Sequence, residues 1–219
     1  MNQEVLKNYA KLIVEIGANV QENQDVIINA NVEDSYFVKY LVEEAYKSKA
    51  REVRVEWNFD ELTKLNYKYE SIEALTTFPK WKLEKLSYQV ETLPAVIYID
   101  SSDPDALSSV DQEKITAVRR KNGPIIMKYR EKMDNKYQWC IAGIPGEAWA
   151  KKVFPTETKE KAIELLWDAI LDVTRAKGDG VKNWKEHNKN LLEKSTKLND
   201  LHIKKQVMVL ILVLKYQNV

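Results

Sequence analysis

Apolar residues along the chain fall into two alternating rhythms. Val5, Leu6, Tyr9, Leu12, Ile13 and Ile16 recur at spacings of three and four, which predicts a helix over residues 4–16 that Gly17 ends. Asp25–Ala30 (DVIINA) is a short β-rich run and reads as a buried strand. Ser35 opens a second helix whose buried face is predicted to be Val38, Leu41, Val42, Ala45 and Tyr46. Glu52–Trp57 (EVRVEW) alternates with period two and reads as a strand. A mostly helical stretch from Asp60 to Glu91 follows, interrupted at Pro79. Ala95–Ile99 (AVIYI) is an unbroken apolar run, as parallel strands buried on both faces show.

The turn Ser101-Ser102-Asp103-Pro104-Asp105 comes next, and Asp111 is placed to cap a helix through Arg120. Gly123-Pro124 is expected to break the chain before a further helical pattern. Tyr137–Ile144 (YQWCIAGI) reads as the fourth strand, ended by Pro145-Gly146. The remainder is helical over Glu147–Val153, over Thr158–Thr174, and in a long polar helix from Val181 to about Lys205. Strands separated by helices predict an α/β fold: a mostly parallel sheet flanked by helices on both faces, with a long C-terminal helix. The expected units are an α/β domain over 1–180, a linking helix over 181–205 and an apolar tail over 206–219.

Composition narrows the function classes. Of 219 residues, 44% are hydrophobic and 31% charged, which suits a soluble globular chain. Lys and Arg total 34 against 33 Asp and Glu, so no electrostatic case for nucleic acid or a membrane surface follows. The single cysteine, Cys140, rules out an internal disulfide and reads as a small buried hydrophobe in a strand. The N-terminal residues carry no signal-like apolar core, and Val207–Leu214 is too short to span a bilayer, so the expected location is the cytoplasm.

Candidate chemistry is sparse. A dinucleotide site needs glycines after the first strand, but that strand runs into Asn31-Val32-Glu33-Asp34 and no glycine lies between Gly17 and Gly123. No phosphate loop is present. The two histidines, His187 and His202, lie fifteen residues apart on one predicted helix, about four turns, too far to share a metal. No serine sits in a Gly-x-Ser-x-Gly elbow. Asp103 and Asp105 follow the carboxyl end of a strand, where α/β folds bind ligands, yet turn and capping roles account for them. Of the six tryptophans, Trp81, Trp149, Trp167 and Trp184 fall within helical patterns and are expected to pack the core. The residues taken alone reveal no catalytic, substrate-binding or metal-ligating set.

Several segments, in order, resemble a known family. They are Tyr9-Ala10-Lys11-Leu12-Ile13-Val14, Leu41-Val42-Glu43-Glu44-Ala45-Tyr46, Val53-x-Val55-x-Trp57, Asp103-Pro104-Asp105-Ala106-Leu107 and Val110-Asp111-x-x-Lys114-Ile115. The most specific is Pro145-x-x-x-Trp149-Ala150-x-x-x-Phe154-Pro155, followed by Leu166-Trp167-Asp168-Ala169-Ile170 and Trp184-x-x-His187-Asn188. Together they resemble the metalloaminopeptidases typified by aminopeptidase T, aminopeptidase S and PepS. The resemblance implies the N-terminal half of a cytosolic exopeptidase that uses two divalent metal ions, of zinc or cobalt type, to remove N-terminal residues from peptides. It also implies that the metal ligands and catalytic carboxylate lie in the other half of chains about twice this length. This chain would then bind no metal and be inactive alone. Homodimers or non-specific self-association are the expected assemblies. The segment Pro145–Phe154 would border the cleft or pack a helix, with packing by Trp149 and Phe154 preferred.

The resemblance ends after Lys205. A Gly-Thr-Asp motif would be expected there, whereas the chain reads Gln206-Val207-Met208-Val209-Leu210-Ile211-Leu212-Val213-Leu214. One reading is a buried final strand. The other is a frameshift: synonymous codons for Lys205 onward, read two bases further along, can spell Ala-Ser-Asn-Gly-Thr-Asp, then Phe or Leu and Ser-Ile-Glu-Ile-Pro. Two further functional readings stand beside the aminopeptidase half. One is a non-catalytic α/β interaction or small-molecule-binding domain that uses the carboxyl edge of the sheet. The other is an unrelated enzyme.

Overall fold

The computed structural model describes the backbone of residues 1–200 and the side chains of residues 1–197. His202 and the 206–219 tail, with the two readings attached to it, lie outside the described residues. Four strands, β1 (Asp25–Asn31), β2 (Glu52–Asn58), β3 (Ala95–Asp100) and β4 (Trp139–Gly143), form one sheet in the order β2-β1-β3-β4. Every pairing among them is parallel. The sheet flanked by helices on both faces is therefore as expected.

The order of strands dictates where the helices go. From β1 to β2 the chain moves one way across the sheet; from β2 to β3 and on to β4 it moves the other way. Right-handed crossovers then place α2 (Ser35–Lys47) on one face, and α3 (Asp60–Tyr69), α4 (Ile72–Thr76), α5 (Lys80–Thr92) and α6 (Gln112–Met133) on the opposite one. On the first face, Val26, Ile28, Ala30, Ala95, Ile97 and Ile99 meet α1 (Gln3–Leu12), α2 and α8 (Lys159–Val173) in the main core. Tyr9, Phe37 and Trp167 form an aromatic trio there, with centroids 5.7–6.2 Å apart. The Tyr9 hydroxyl donates to the Gly143 carbonyl at 3.0 Å, so the phenol is satisfied where it is buried. Ile27, Val96, Ile115, Val118 and Met133 are buried outside this cluster.

At the amino edge of the sheet sits the most elaborate polar contact. Asp25 is buried, and its two oxygens accept from Arg51 Nε and Nη2 at 2.7 and 2.6 Å. Arg54 Nη2 and the Tyr88 hydroxyl add contacts at 3.2 and 3.3 Å. One carboxylate thus ties β1 to β2 and to α5. The Arg51 hydrogen bonds hold its pKa below the usual carboxylate value, against the opposing effect of burial.

Four expectations need correction. Gly123-Pro124 does not break the chain: α6 runs from Gln112 to Met133 with Pro124 inside it. Pro124 and Arg120 are exposed, so water can reach the Arg120 carbonyl that loses its helical donor. Gly123 has no Cβ to clash with the proline ring that follows it. Tyr46 is not on the buried face of α2 but half-exposed, and Phe37 fills the core in its place. Trp81 is 64% exposed, because no residue of α3, α4 or α5 is fully buried and this layer sits outermost. The fourth strand is shorter than 137–144, and its Trp139 and Ile141 face solvent at an open edge. The C-terminal helix, α9, runs Gly180–Asp200 among the described residues.

Two stability changes follow. Asp25→Asn should lower unfolding free energy by about 2 kcal/mol at neutral pH, since charge-assisted bonds contribute roughly 1.5–3 kcal/mol. A depressed native pKa means that this stabilisation is complete above the unfolded-state value. The wild-type advantage in urea denaturation should therefore shrink once pH drops below about 4 and disappear below the native pKa. Pro124→Ala should raise stability by about 1–3 kcal/mol, as proline inside a helix costs about 3 kcal/mol relative to alanine; no change in the urea midpoint would mean that the helix is interrupted there.

Candidate functional site

In an open parallel sheet, a crevice forms outside the carboxyl ends of two neighbouring strands whose following segments diverge to opposite faces. Here those strands are β1 and β3. The segment after β1 is a single 3₁₀ turn, Val32–Asp34, leading into α2. The segment after β3 is the Ser101–Asp105 loop.

The two are joined by a short polar chain. Asn31 Nδ2 donates to Ser101 Oγ at 3.1 Å, and the Ser101 hydroxyl donates to Asp34 Oδ2 at 2.7 Å. Asp34 and Ser101 are both buried. Burial pushes the Asp34 pKa up, with Glu33 and Asp100 adding repulsion, while the Ser101 and Asn31 hydrogen bonds oppose the rise. Burial and Asp34 push the neighbouring Tyr36 phenol up to about 12. The loop after β4 closes against this unit, since a Cβ on Gly146 would lie 2.0 Å from the Ser101 carbonyl oxygen. Only glycine fits there.

Around this unit the electrostatic balance is acidic. The Asp60 pKa is raised by burial and then by Glu33, with Asp103 contributing and Lys64 opposing. Glu33, Asp34, Asp60, Asp100 and Asp103 therefore share one end of the sheet. Most of the loop carboxylates already have local work. Asp100 accepts from the Ser102 N–H at 3.1 Å, and Asp103 from the Asp105 N–H at 2.9 Å. Both oxygens of Asp105 are held by Lys152 at 2.8 and 2.7 Å, which ties the loop to α7 (Glu147–Val153). Asp111 caps α6 through the Glu113 and Lys114 N–H groups at 2.9 and 3.1 Å, as its position suggests. Such an edge attracts cations through its field. Among the described residues, no group of three or more His, Cys, Asp or Glu side chains is arranged to hold a metal ion.

The other singled-out residues are dispersed. His187 packs edge-on against Trp184 at 5.4 Å in an open polar groove of about 400 Å³ between the end of α8 and α9, far along the chain from the carboxyl edge. Trp184 itself donates to the Thr174 carbonyl at 2.6 Å and is a packing residue. Cys140 is half-buried, its sulfur 2.6 Å from where a Gly17 side chain would begin, and burial pushes its thiol pKa up. That environment disfavours the reactive thiolate. Trp149 and Phe154 pack against the core, so the helix-packing role holds for Pro145–Phe154. The Asn31–Ser101–Asp34 chain escaped sequence reasoning. Its one signal was topological: polar residues directly after two adjacent strands.

The fold and this edge define an α/β domain with an acidic carboxyl end at the switch point of its sheet and no metal-binding set of its own among the described residues. The chain matches the family model described as thermophilic metalloprotease (M29) over residues 2–211, and it belongs to that family. Aminopeptidase AmpS of Bacillus subtilis is 37% identical over 199 residues, covering 90% of this chain and 48% of that protein. Aminopeptidase PepS of Streptococcus thermophilus is 34% identical over 201 residues, covering 90% and 49%. The solved structure of wild-type AmpT from Thermus thermophilus superposes with a TM-score of 0.78 at 29% identity, covering 90% of this chain and 49% of that one. The chain thus spans about half the length of the curated relatives it matches. No helix among the described residues is long and apolar enough to cross a membrane.

The polar chain generates a paired prediction. Ser101→Ala should cost about 1–3 kcal/mol, because it strands buried Asn31 and Asp34 groups, and should raise the Asp34 pKa further in carboxyl NMR titration. For Asp34 the native pKa is raised, so its ionisation works against folding as pH rises from about 4 through the native value. Over that window the stability difference should move in favour of Asp34→Asn.

Proposed function

We propose that this chain is the N-terminal α/β half of a metal-dependent aminopeptidase that removes N-terminal residues from peptides. The carrying observation is that nine-tenths of the chain aligns with only half of each aminopeptidase relative. The described residues do not form a metal-ligand set that fits a metalloprotease, so we assign the two divalent ions and the reaction to the half absent from this alignment. The chain alone is inactive in this reading. Its acidic carboxyl edge suits a substrate that carries an α-ammonium group, by charge alone. The apolar 206–219 segment is out-of-frame translation in this reading, supported by the fact that synonymous codons read two bases further along can spell Gly-Thr-Asp at that point; the family match ends inside it, at residue 211.

Two measurements test this. Sequencing the gene through Lys205 should reveal a continuing frame, displaced by one or two bases and rich in His, Glu and Asp; its absence sinks the frameshift. The purified chain with Zn²⁺ or Co²⁺ should hold no tightly bound pair of ions and leave leucine p-nitroanilide uncleaved. Turnover with two bound ions would overturn the assignment of the chemistry to the other half. The acidic carboxyl edge around Asp34 favours one second reading, a small-molecule-binding domain, which would show as saturable binding of a cationic ligand without turnover.

A further inference from the structure

The open edge of β4 carries a complete set of peptide-binding features. The Val96 N–H donates to the Gln138 carbonyl, and the Ile144 N–H to the Asp100 carbonyl, both at 3.0 Å. Even-numbered residues of this stretch therefore bond β3, and the N–H and C=O groups of Trp139 and Ile141 point away from the sheet. The Tyr9 hydroxyl takes the Gly143 carbonyl and closes the open stretch at its far end. Cys140 abuts Gly17 and Ala142 joins the main core, so Trp139 and Ile141 lie on the other face, that of α6. They are 58% and 62% exposed, so α6 leaves them uncovered.

The flank of α6 beside this edge is basic. At 100° per residue, Arg119, Ile126 and Arg130 fall within an arc of about 40°. Lys114, across the buried Ile115 and Val118, bonds the Tyr67 and Glu70 carbonyls, so that side of α6 faces α3 and the Arg119–Arg130 row faces β4. Burial raises the pKa of Tyr137, just before β4, and the Arg130 charge opposes the rise, which sets Arg130 near the amino end of the strand. Arg119 stands about 16 Å along the helix from it, close to the roughly 13 Å that Trp139–Gly143 spans. Arg119, Arg120, Lys121, Lys128, Arg130 and Lys132 are all exposed, against the single acid Glu131 in the same stretch. None of the six forms an ion pair among the described residues. The near-zero balance of the whole chain hides this concentration.

We propose that the β4 edge is a docking surface for an extended acidic peptide segment of a partner protein, which adds as a strand beside α6. The unpaired groups select a peptide, because only another extended backbone offers both acceptors for the N–H groups and donors for the carbonyls. Trp139, Ile141 and Ile126, which is 40% exposed, receive an apolar side chain between two carboxylates that face Arg119 and Arg130. A second copy of β4 in this place would bring the same cations against these, so the charge disfavours self-pairing. The inference does not depend on the aminopeptidase reading, because it uses no residue of the acidic carboxyl edge.

NMR titration of the full chain with acetyl-Glu-Thr-Val-Thr-Glu-amide tests it. The acetyl group removes the α-ammonium, so binding as an aminopeptidase substrate is not what is read. The peptide should bind saturably with a Kd below about 1 mM and slow amide hydrogen exchange at Trp139 and Ile141 several-fold. An analogue methylated on its internal amide nitrogens should not bind. Arg119→Glu with Arg130→Glu should weaken binding about 10-fold or more. The same double variant should take acetyl-Lys-Thr-Val-Thr-Lys-amide to within about threefold of the original pair. That rescue separates a direct contact from damage to the fold. No saturable shift up to about 5 mM peptide overturns the proposal. Equally tight binding of oligouridylate, or binding that leaves exchange at Trp139 and Ile141 unchanged, also overturns it and makes α6 a general polyanion surface.

Discussion

The whole architecture depends on burying β1 from both sides at once. Val26, Ile27 and Ile28 are almost without solvent contact, so successive residues pointing to opposite faces all meet packed side chains. A parallel strand in that position needs helices above and below, and parallel neighbours must be connected by crossovers. Once β2 pairs on one side of β1 and β3 on the other, the hand of those crossovers sends α2 and α3–α6 to opposite faces. The same reversal sets the ends of β1 and β3 at the switch point of the sheet, where Asn31, Asp34 and Ser101 meet. Fold and candidate site thus come from one packing requirement. Asp25 anchors the amino end of the same strand, so the two polar networks close the two ends of an apolar centre.

The two faces are not equally finished. On the first, α1, α2 and α8 deliver fully buried aromatic and aliphatic side chains such as Tyr9, Phe37 and Trp167. On the second, α3, α4 and α5 bury no residue completely, and Trp81, Leu62, Leu65 and Tyr69 stay in solvent. At the β4 edge the register leaves the backbone groups of Trp139 and Ile141 without a strand partner, beside their exposed side chains. An open, apolar edge of that kind is a pairing hazard unless something covers it.

Legibility in the sequence followed the strength of local physics. DVIINA and AVIYI could be nothing but buried strands, and the Asp111 cap obeys a local hydrogen-bond rule. Gly123-Pro124 misled because the rule that proline ends a helix assumes a preceding Cβ and a buried carbonyl, and neither is present. Tyr46 and Trp81 misled because periodicity identifies a face and does not say whether another layer covers it. The Asn31–Ser101–Asp34 chain was illegible for a further reason. Its members are 70 and 67 residues apart in sequence, and only the strand order brings them together. The metalloprotease family was legible through spaced segments such as Pro145-x-x-x-Trp149-Ala150, although Trp149 acts there as a packing residue.

Packing falls away toward the end of the described residues. The last side chains that reach the main core are Ala176, Val181 and, half-buried, Trp184. Beyond Trp184 the described part of α9 is largely exposed, with Leu191 and Leu192 at 50% and 69%. Among the described residues, β1, the aromatic trio and the Asp25 anchor thus rest on packing that ends with Trp184. Domain stability near 5–15 kcal/mol is a small difference between large terms, and a lost core element would overwhelm it. The fold and the acidic edge rest on side chains up to Trp184, and no metal-binding set occurs among the described residues.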